Sequence, residues 1–256
     1  MKTLDLFSGI GGFSLGLESV GFETVGFCEI DPFCQKVLKK HWPDIPIHKD
    51  IKELNGHEYR GSVRLVCGGF PCQPYSVAGK RRGEEDDRAL WKEMFRVIRE
   101  VEPDWVIGEN VPGIVSMELD KVLSDLGDTF DVQTFDIPAV AIDARHTRHR
   151  IWVIGRAKYL ADPYGNGLQG SKIQRGDGKN RAKPIHQQFK RFGGSSFKLS
   201  NPRRKVKWKP EPRLDRMAHG IPNRLDRIKG LGNAVCPPLV SEIGRLIMQH
   251  DLEYST

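Results

Sequence analysis

Thr3-Leu4-Asp5-Leu6-Phe7-Ser8-Gly9-Ile10-Gly11-Gly12 opens the chain with an apolar strand that runs straight into a glycine-rich turn. Residues 3–7 read as the strand; Phe13, Leu15, Leu17 and Val20 then ride a short helix that Gly21 closes. The same grammar recurs downstream. A second strand over 24–28 ends at Glu29, and a third over 63–67 runs into Gly68-Gly69-Phe70-Pro71-Cys72. An amphipathic helix presents Leu90, Trp91, Met94, Phe95, Ile98 and Val101 on one face, and Pro103 leads into a strand over 105–107 that ends at Gly108-Glu109-Asn110. Strands alternating with helices predict an α/β fold with a doubly wound, mostly parallel sheet covered on both faces. Ligands of such sheets sit beyond the carboxyl ends of the strands. Phe7, Glu29, Cys72 and Glu109 all fall at or just past those ends.

A length of 256 residues predicts one large domain with a small second lobe. With 38% hydrophobic and 29% charged residues the composition is that of a soluble globular chain. No run of apolar residues is long enough to span a membrane, and Asp5 interrupts the start before a signal-peptide core could form. Five cysteines, an odd number without paired Cys-x-x-Cys motifs, argue against a disulfide framework and a zinc ribbon, which predicts a reduced, cytoplasmic protein with no bound metal. The net charge of +7 is unevenly spread. Residues 145–213 hold 19 Lys/Arg and 3 Asp/Glu, a balance of +16, while the rest of the chain stands at −9. That asymmetry points to a nucleic-acid surface attached to an acidic body. Residues 157–213 are rich in Gly, Lys, Arg, Asn and Pro with scattered aromatics and no clear period, and the helical apolar pattern returns at 239–249.

Three motifs carry chemistry. The opening turn suits a cofactor cradle, because glycine lets backbone approach a ligand and takes positive φ; a tight structural turn is the alternative. It is not the dinucleotide fingerprint, since Ser14 stands where a third glycine belongs. Glu29, some 18 residues beyond the turn, can accept hydrogen bonds from ribose hydroxyls. Cys72 lies between Pro71 and Pro74 at a strand end, an odd place for a packed core thiol, and so is the candidate nucleophile; Cys28, Cys34, Cys67 and Cys236 read as structural. Glu109, ending an apolar strand, suits acid–base work if desolvation raises its pKa, and is otherwise a cap or a solvated residue.

Together these motifs resemble the DNA cytosine-C5 methyltransferases, in particular their compact bacterial and phage members. Asp5–Phe13 is similar to the family's cofactor motif, Pro71-Cys72-Gln73-Pro74-Tyr75-Ser76 to its nucleophile motif, and Glu109-Asn110-Val111 to its Glu-Asn-Val motif. His146-Thr147-Arg148-His149-Arg150 stands where the family has Gln-x-Arg-x-Arg, with His146 in place of Gln, and Gly232-Asn233-Ala234-Val235 resembles the closing motif. The resemblance spans nearly the whole chain except the basic stretch between Arg156 and Arg213, which is short for the family's target-recognition domain.

The resemblance implies a Rossmann-like S-adenosylmethionine-dependent fold, divided into a catalytic and cofactor-binding domain over 1–156, a small target-recognition domain over 157–213, and a C-terminal segment, 214–256, that returns to the catalytic domain. It implies methyl transfer from S-adenosyl-L-methionine to C5 of a flipped-out cytosine in a specific sequence of double-stranded DNA. Cys72 would attack C6, Glu109 would protonate N3, Arg148 would hold the base's O2 and nearby backbone, and Arg150 would complete the catalytic set. Phe7, Gly9, Gly11, Glu29, Asp50, Pro71, Leu90, Asn233 and Ala234 would line the cofactor site, with Asp50 at the adenine amino group and Glu29 at the ribose. Gln73, Ser76, Arg81 and Arg82 would touch DNA, the last two from a loop over 77–88 whose composition suits a lid. A monomer in a bacterial or phage-infected cell is implied, with a cognate restriction endonuclease as the partner in a restriction–modification setting. An amino-methyltransferase would need an Asp/Asn-Pro-Pro-aromatic motif, which does not occur. An RNA methyltransferase of the same fold and a DNA-binding module with a dead cofactor pocket remain as alternatives.

Overall fold

The computed structural model describes residues 1–71, 90–142, 148–158 and 224–253, all within one compact unit formed by Met1–Pro163 and Gly220–Thr256. In chain order the elements are β1 (Lys2–Leu6), α1 (Gly12–Glu18), β2 (Glu23–Cys28), α2 (Pro32–His41), β3 (Ile47–His48), β4 (Leu65–Gly68), α3 (Trp91–Val101), β5 (Trp105–Asn110), α4 (Ile114–Met117), α5 (Leu119–Gly127), β6 (Phe130–Pro138), β7 (His149–Ala157), α6 (Arg224–Asn233) and α7 (Pro237–Glu253). Short 3-10 turns lie at Gly56–Tyr59 and Ala139–Ile142. Among the described residues no helix is long and apolar enough to cross a membrane. The lobe expected over 157–213 lies, beyond its first two positions, outside the described residues.

Seven strands form one sheet in the order β3-β2-β1-β4-β5-β7-β6. Every pairing from β3 to β5 is parallel, and β7 alone runs against its neighbours β5 and β6. The doubly wound, mostly parallel sheet expected from the alternating elements is therefore present. Thr3, Leu4, Asp5 and Leu6 are all buried, as are all six residues of β5, because helices cover both faces of these strands. Strand order reverses between β1 and β4, which opens a crevice beyond their carboxyl ends.

One face packs Leu65, Cys67, Trp105, Ile107 and Trp152 against Phe13 and Leu17 of α1 and Leu239, Val240, Ile243 and Ile247 of α7. Val66 and Val106, one residue out of phase, are equally buried and point to the opposite face. The approach of α7 to α1 is close enough to require glycine: a Cβ on Gly16 would stand 2.6 Å from both Pro237 O and Val240 Cβ. Asp31 caps α2 by accepting from Phe33 N and Cys34 N, with Pro32 supplying a preset first helical turn.

Local expectations shift in four places. The opening strand stops at Leu6, and Phe7 turns into the left-handed region at φ 52°. Leu15 is 57% exposed, apart from the buried face that Phe13, Gly16 and Leu17 form on α1. The strand over 105–107 continues through Glu109 and Asn110, and the one expected over 63–67 starts only at Leu65 and runs to Gly68.

Candidate active site

Residues at or just past five parallel strand ends, the start of β7 and the α6–α7 junction surround a cavity of about 730 Å³ at the crevice where strand order reverses. β7 contributes through its first residues because it runs antiparallel, so its amino end meets the carboxyl ends of the others.

The glycine-rich turn forms one wall. The chain leaves β1 through three left-handed residues, Phe7, Gly9 (φ 55°) and Gly11 (φ 85°), and open space lies where a Cβ on Gly9 would stand. Glu29 ties this turn to the next strand end. Its Oε2 accepts from Gly9 N at 2.6 Å and its Oε1 from Asp31 N at 2.7 Å, while Glu29 N itself donates to His48 O. Beneath the turn, fully buried Asp5 accepts from Ser14 Oγ at 2.8 Å, its second oxygen has no hydrogen-bond partner, and burial pushes its pKa up to about 7. Gly11 does not line the cavity: a Cβ there would lie 2.6 Å from the ring of Trp42, and Gly11 instead caps the start of α1.

Asp50 follows β3 and stands at the cavity with Ile51 and Lys52. Ile30, just past Glu29, is 71% exposed and lines the same space. Across the mouth, Lys229 of α6 donates to Asp31 Oδ2 at 2.8 Å, and that hydrogen bond holds the Asp31 carboxyl below the ordinary range.

The opposite wall is built on β5. Glu109 is 7% exposed at the strand's carboxyl end. Arg150 Nε stands 3.0 Å from its Oε1, an ion pair in a largely buried setting. Burial raises the Glu109 pKa to about 7, against the opposing pull of Arg150 and Arg148. A carboxyl balanced there both holds and releases a proton near neutrality. Asn110 donates from Nδ2 to Phe70 O at 2.9 Å and accepts from Val111 N, which fixes the exit of β4 against β5. Arg148 is turned toward the C-terminal segment, with Nη2 donating to Ala234 O at 3.0 Å; burial, then repulsion from Arg150, lowers its pKa.

Of the residues singled out in the sequence, Phe7, Gly9, Glu29, Asp50, Pro71, Leu90, Glu109, Arg148, Arg150, Asn233 and Ala234 meet around this one cavity. Cys72, Gln73, Ser76, Arg81, Arg82 and His146 lie outside the described residues. Cys28 and Cys34 also border the cavity, but burial pushes both thiols up to about 12, as suits packed, protonated cysteines. Asp31, Lys229 and Ile30 were not anticipated. The Asp31-Pro32 pair was legible as a helix start; Ile30 and Lys229 carry no local signal.

The C-5 cytosine-specific DNA methylase model matches residues 1–191. A type II methyltransferase of Bacillus subtilis, M2.BsuMI, is 38% identical over 175 residues, covering 64% of this chain and 43% of that protein. M.PspPI of Psychrobacter is 41% identical over 169 residues, covering 62% and 40% respectively. The chain thus spans less than half the length of these relatives. Among solved structures, a prophage-encoded protein of Escherichia coli assigned as a DNA modification methyltransferase superposes with a TM-score of 0.55 at 28% identity, covering 63% of this chain and 48% of that one. Spodoptera frugiperda DNMT2 shares the fold with the same TM-score at 23% identity, over 66% and 53%. With a family model matched over three quarters of its length and the motif-bearing strand ends gathered at one cavity, the chain belongs to the C-5 cytosine-specific DNA methylase family.

Proposed function

We propose that this chain transfers a methyl group from S-adenosyl-L-methionine to C5 of a cytosine flipped out of double-stranded DNA, through a covalent bond between Cys72 and C6. The observation that carries this reading is Glu109, buried beside Arg150 with its pKa raised to about 7, at the strand end adjacent to the one that leads into Cys72.

The residues around the cavity fit the cofactor. Its volume is in the range of small-ligand sites. Open space over Gly9 admits a ligand against the backbone, Glu29 and Asp50 offer acceptors to ribose hydroxyls and to the adenine amino group, and exposed Ile30 offers an apolar face to a ring. When bound, S-adenosylmethionine supplies an electrophilic methyl group. Phe7, Pro71, Leu90, Asn233 and Ala234 complete this half of the site.

The chain's own residues activate the base. The Cys72 thiolate adds to C6 while Glu109 delivers a proton to N3, so the ring's electron density moves to C5 without leaving a charge on the base. After C5 is methylated, its proton passes to water, the thiolate departs and N3 returns its proton to Glu109, which restores the aromatic ring and frees Cys72. Arg150 opposes full protonation of Glu109 and lies closer to it than Arg148, so the contact to the base's O2 falls more naturally to Arg150, while Arg148 fixes the Asn233–Ala234 junction. Asn110, by holding Phe70 O, positions the segment that enters Cys72. Extruding the cytosine costs a few kcal/mol of unstacking and unpairing. Gln73, Ser76, Arg81 and Arg82 would offset it through DNA contacts, and the basic residues 157–213 would form the target-recognition domain between a catalytic domain over 1–156 and a returning segment over 214–256. The chain would act as a monomer in the cytoplasm of a bacterial or phage-infected cell, with a cognate endonuclease where it belongs to a restriction–modification system.

Bisulfite sequencing of DNA from cells expressing the chain tests this directly. New C5 methylation at one sequence context, absent with Cys72→Ala, is expected; unmodified DNA at full expression contradicts it.

A further inference from the structure

Asp50 and Ile51 border the cavity on a segment, 49–55, that belongs to no strand or helix. Within the segment, Glu53 N donates to Asp50 O at 3.2 Å, Leu54 N to Ile51 O at 3.3 Å, and Lys52 N to the Asp50 carboxylate at 2.9 Å. Two further bonds on its carbonyls come from a helix far away in sequence. Arg96 of α3 donates from Nη2 to Ile51 O at 2.6 Å and from Nη1 to Leu54 O at 3.0 Å. The guanidinium is itself aimed by two carboxylates on the same helix, Glu93 at 2.9 Å from Nε and Glu100 at 2.8 Å from Nη1. Glu100 also accepts from Gly56 N at 2.8 Å, and a Cβ on Gly56 would stand 2.8 Å from Glu100 Cβ. Residues 93, 96 and 100, spaced to share one helix face, therefore grip the segment in its middle and at its end.

We infer that Arg96 is a positioning residue for the cofactor site, one that holds Asp50 where it reads the adenine amino group without touching the ligand. The inference rests on the cofactor reading proposed above. A planar fork is needed here, since one guanidinium serves two carbonyls and two carboxylates at fixed angles; the point charge of a lysine cannot span them. α3 thus adds to the turn's local bonds the support that a neighbouring strand would otherwise give.

Calorimetric titration of the full chain with S-adenosylhomocysteine, and with S-inosylhomocysteine, which lacks the adenine amino group, tests this. Arg96→Lys is expected to weaken S-adenosylhomocysteine by roughly tenfold, the scale of charge-assisted hydrogen bonds, with little effect on the inosine analogue. Combined with Asp50→Asn it should add almost nothing to the Asp50→Asn loss, because both act through the same contact. Glu100→Gln, which loosens Arg96 without removing it, should show a smaller loss of the same kind, and it carries the test if Arg96→Lys does not fold by circular dichroism. Equal losses for the two ligands, or losses that multiply in the double variant, overturn the inference. A wild-type chain that binds neither ligand overturns the cofactor reading, and the inference with it.

Discussion

At the scale of single residues, the decisive feature is a carboxyl kept out of water. Glu109 is the same side chain as many solvated surface glutamates; its strand end, flanked by Phe70 and β7, makes it an acid that still holds a proton near neutral pH. Glu109→Gln keeps the shape and one hydrogen-bonding group but has no proton to deliver. Single-turnover methyl transfer should fall by roughly 10²-fold or more. The wild-type rate should also decline as pH rises through about 7, where Glu109 ionises, and that limb should vanish in the variant. An unchanged single-turnover rate would reassign Glu109 to a structural cap.

At the scale of elements, β1 and α1 are joined through a carboxyl that the chemistry does not use. Asp5 sits fully buried under the glycine-rich turn, bonded to Ser14, and desolvation raises its pKa from 3.8 to about 7. The unfolded chain releases this proton near pH 4, whereas the fold keeps it until about 7. Between those values the unfolded state is therefore favoured as pH rises, by up to ~1.4 kcal/mol per pH unit for one group. Above pH 7 the cost is constant. Urea midpoints measured from pH 5 to 8 should fall more steeply for the wild type than for Asp5→Asn, and parallel profiles would contradict the buried-carboxyl account.

The elements also show where sequence reading stops. The strands that lead to Gly9, Pro71 and Glu109 were legible because a buried parallel strand is a short apolar run closed by glycine or a polar end. α2 left little trace because only Cys34 and Leu38 are buried along it, and β6, at the sheet edge, buries only Phe130, with Asp131, Gln133 and Asp136 exposed and the rest half-buried. Which arginine meets Glu109 was not legible at all. It follows from the antiparallel register that sets Glu109 opposite Trp152 and so brings Arg150 alongside, a pairing that no local periodicity encodes. The grip of Arg96 on residues 51–54, more than 40 positions away, is hidden for the same reason.

At the scale of the whole molecule, an acidic body built on the sheet carries a strongly basic segment, with +16 over residues 145–213 against −9 elsewhere. Binding to duplex DNA should weaken steeply with salt, with a log–log slope of about −0.9 for each phosphate neutralised. Replacing Arg203, Arg204 and Lys205 together by glutamine should flatten that slope; an unaltered slope would place the DNA footprint elsewhere. The central claim is covalent chemistry at one cytosine, and a fluorinated base tests it most directly. Fluorine at C5 cannot leave as a cation, so an adduct that has formed at C6 and been methylated has no route back. Incubated with S-adenosylmethionine and a pool of randomised duplexes containing 5-fluorocytosine, the chain should form a complex that survives denaturation, requires the cofactor, and is absent with Cys72→Ala. A folded, cofactor-binding protein that releases all DNA on denaturation, or that traps only on fluorinated RNA, would contradict the account.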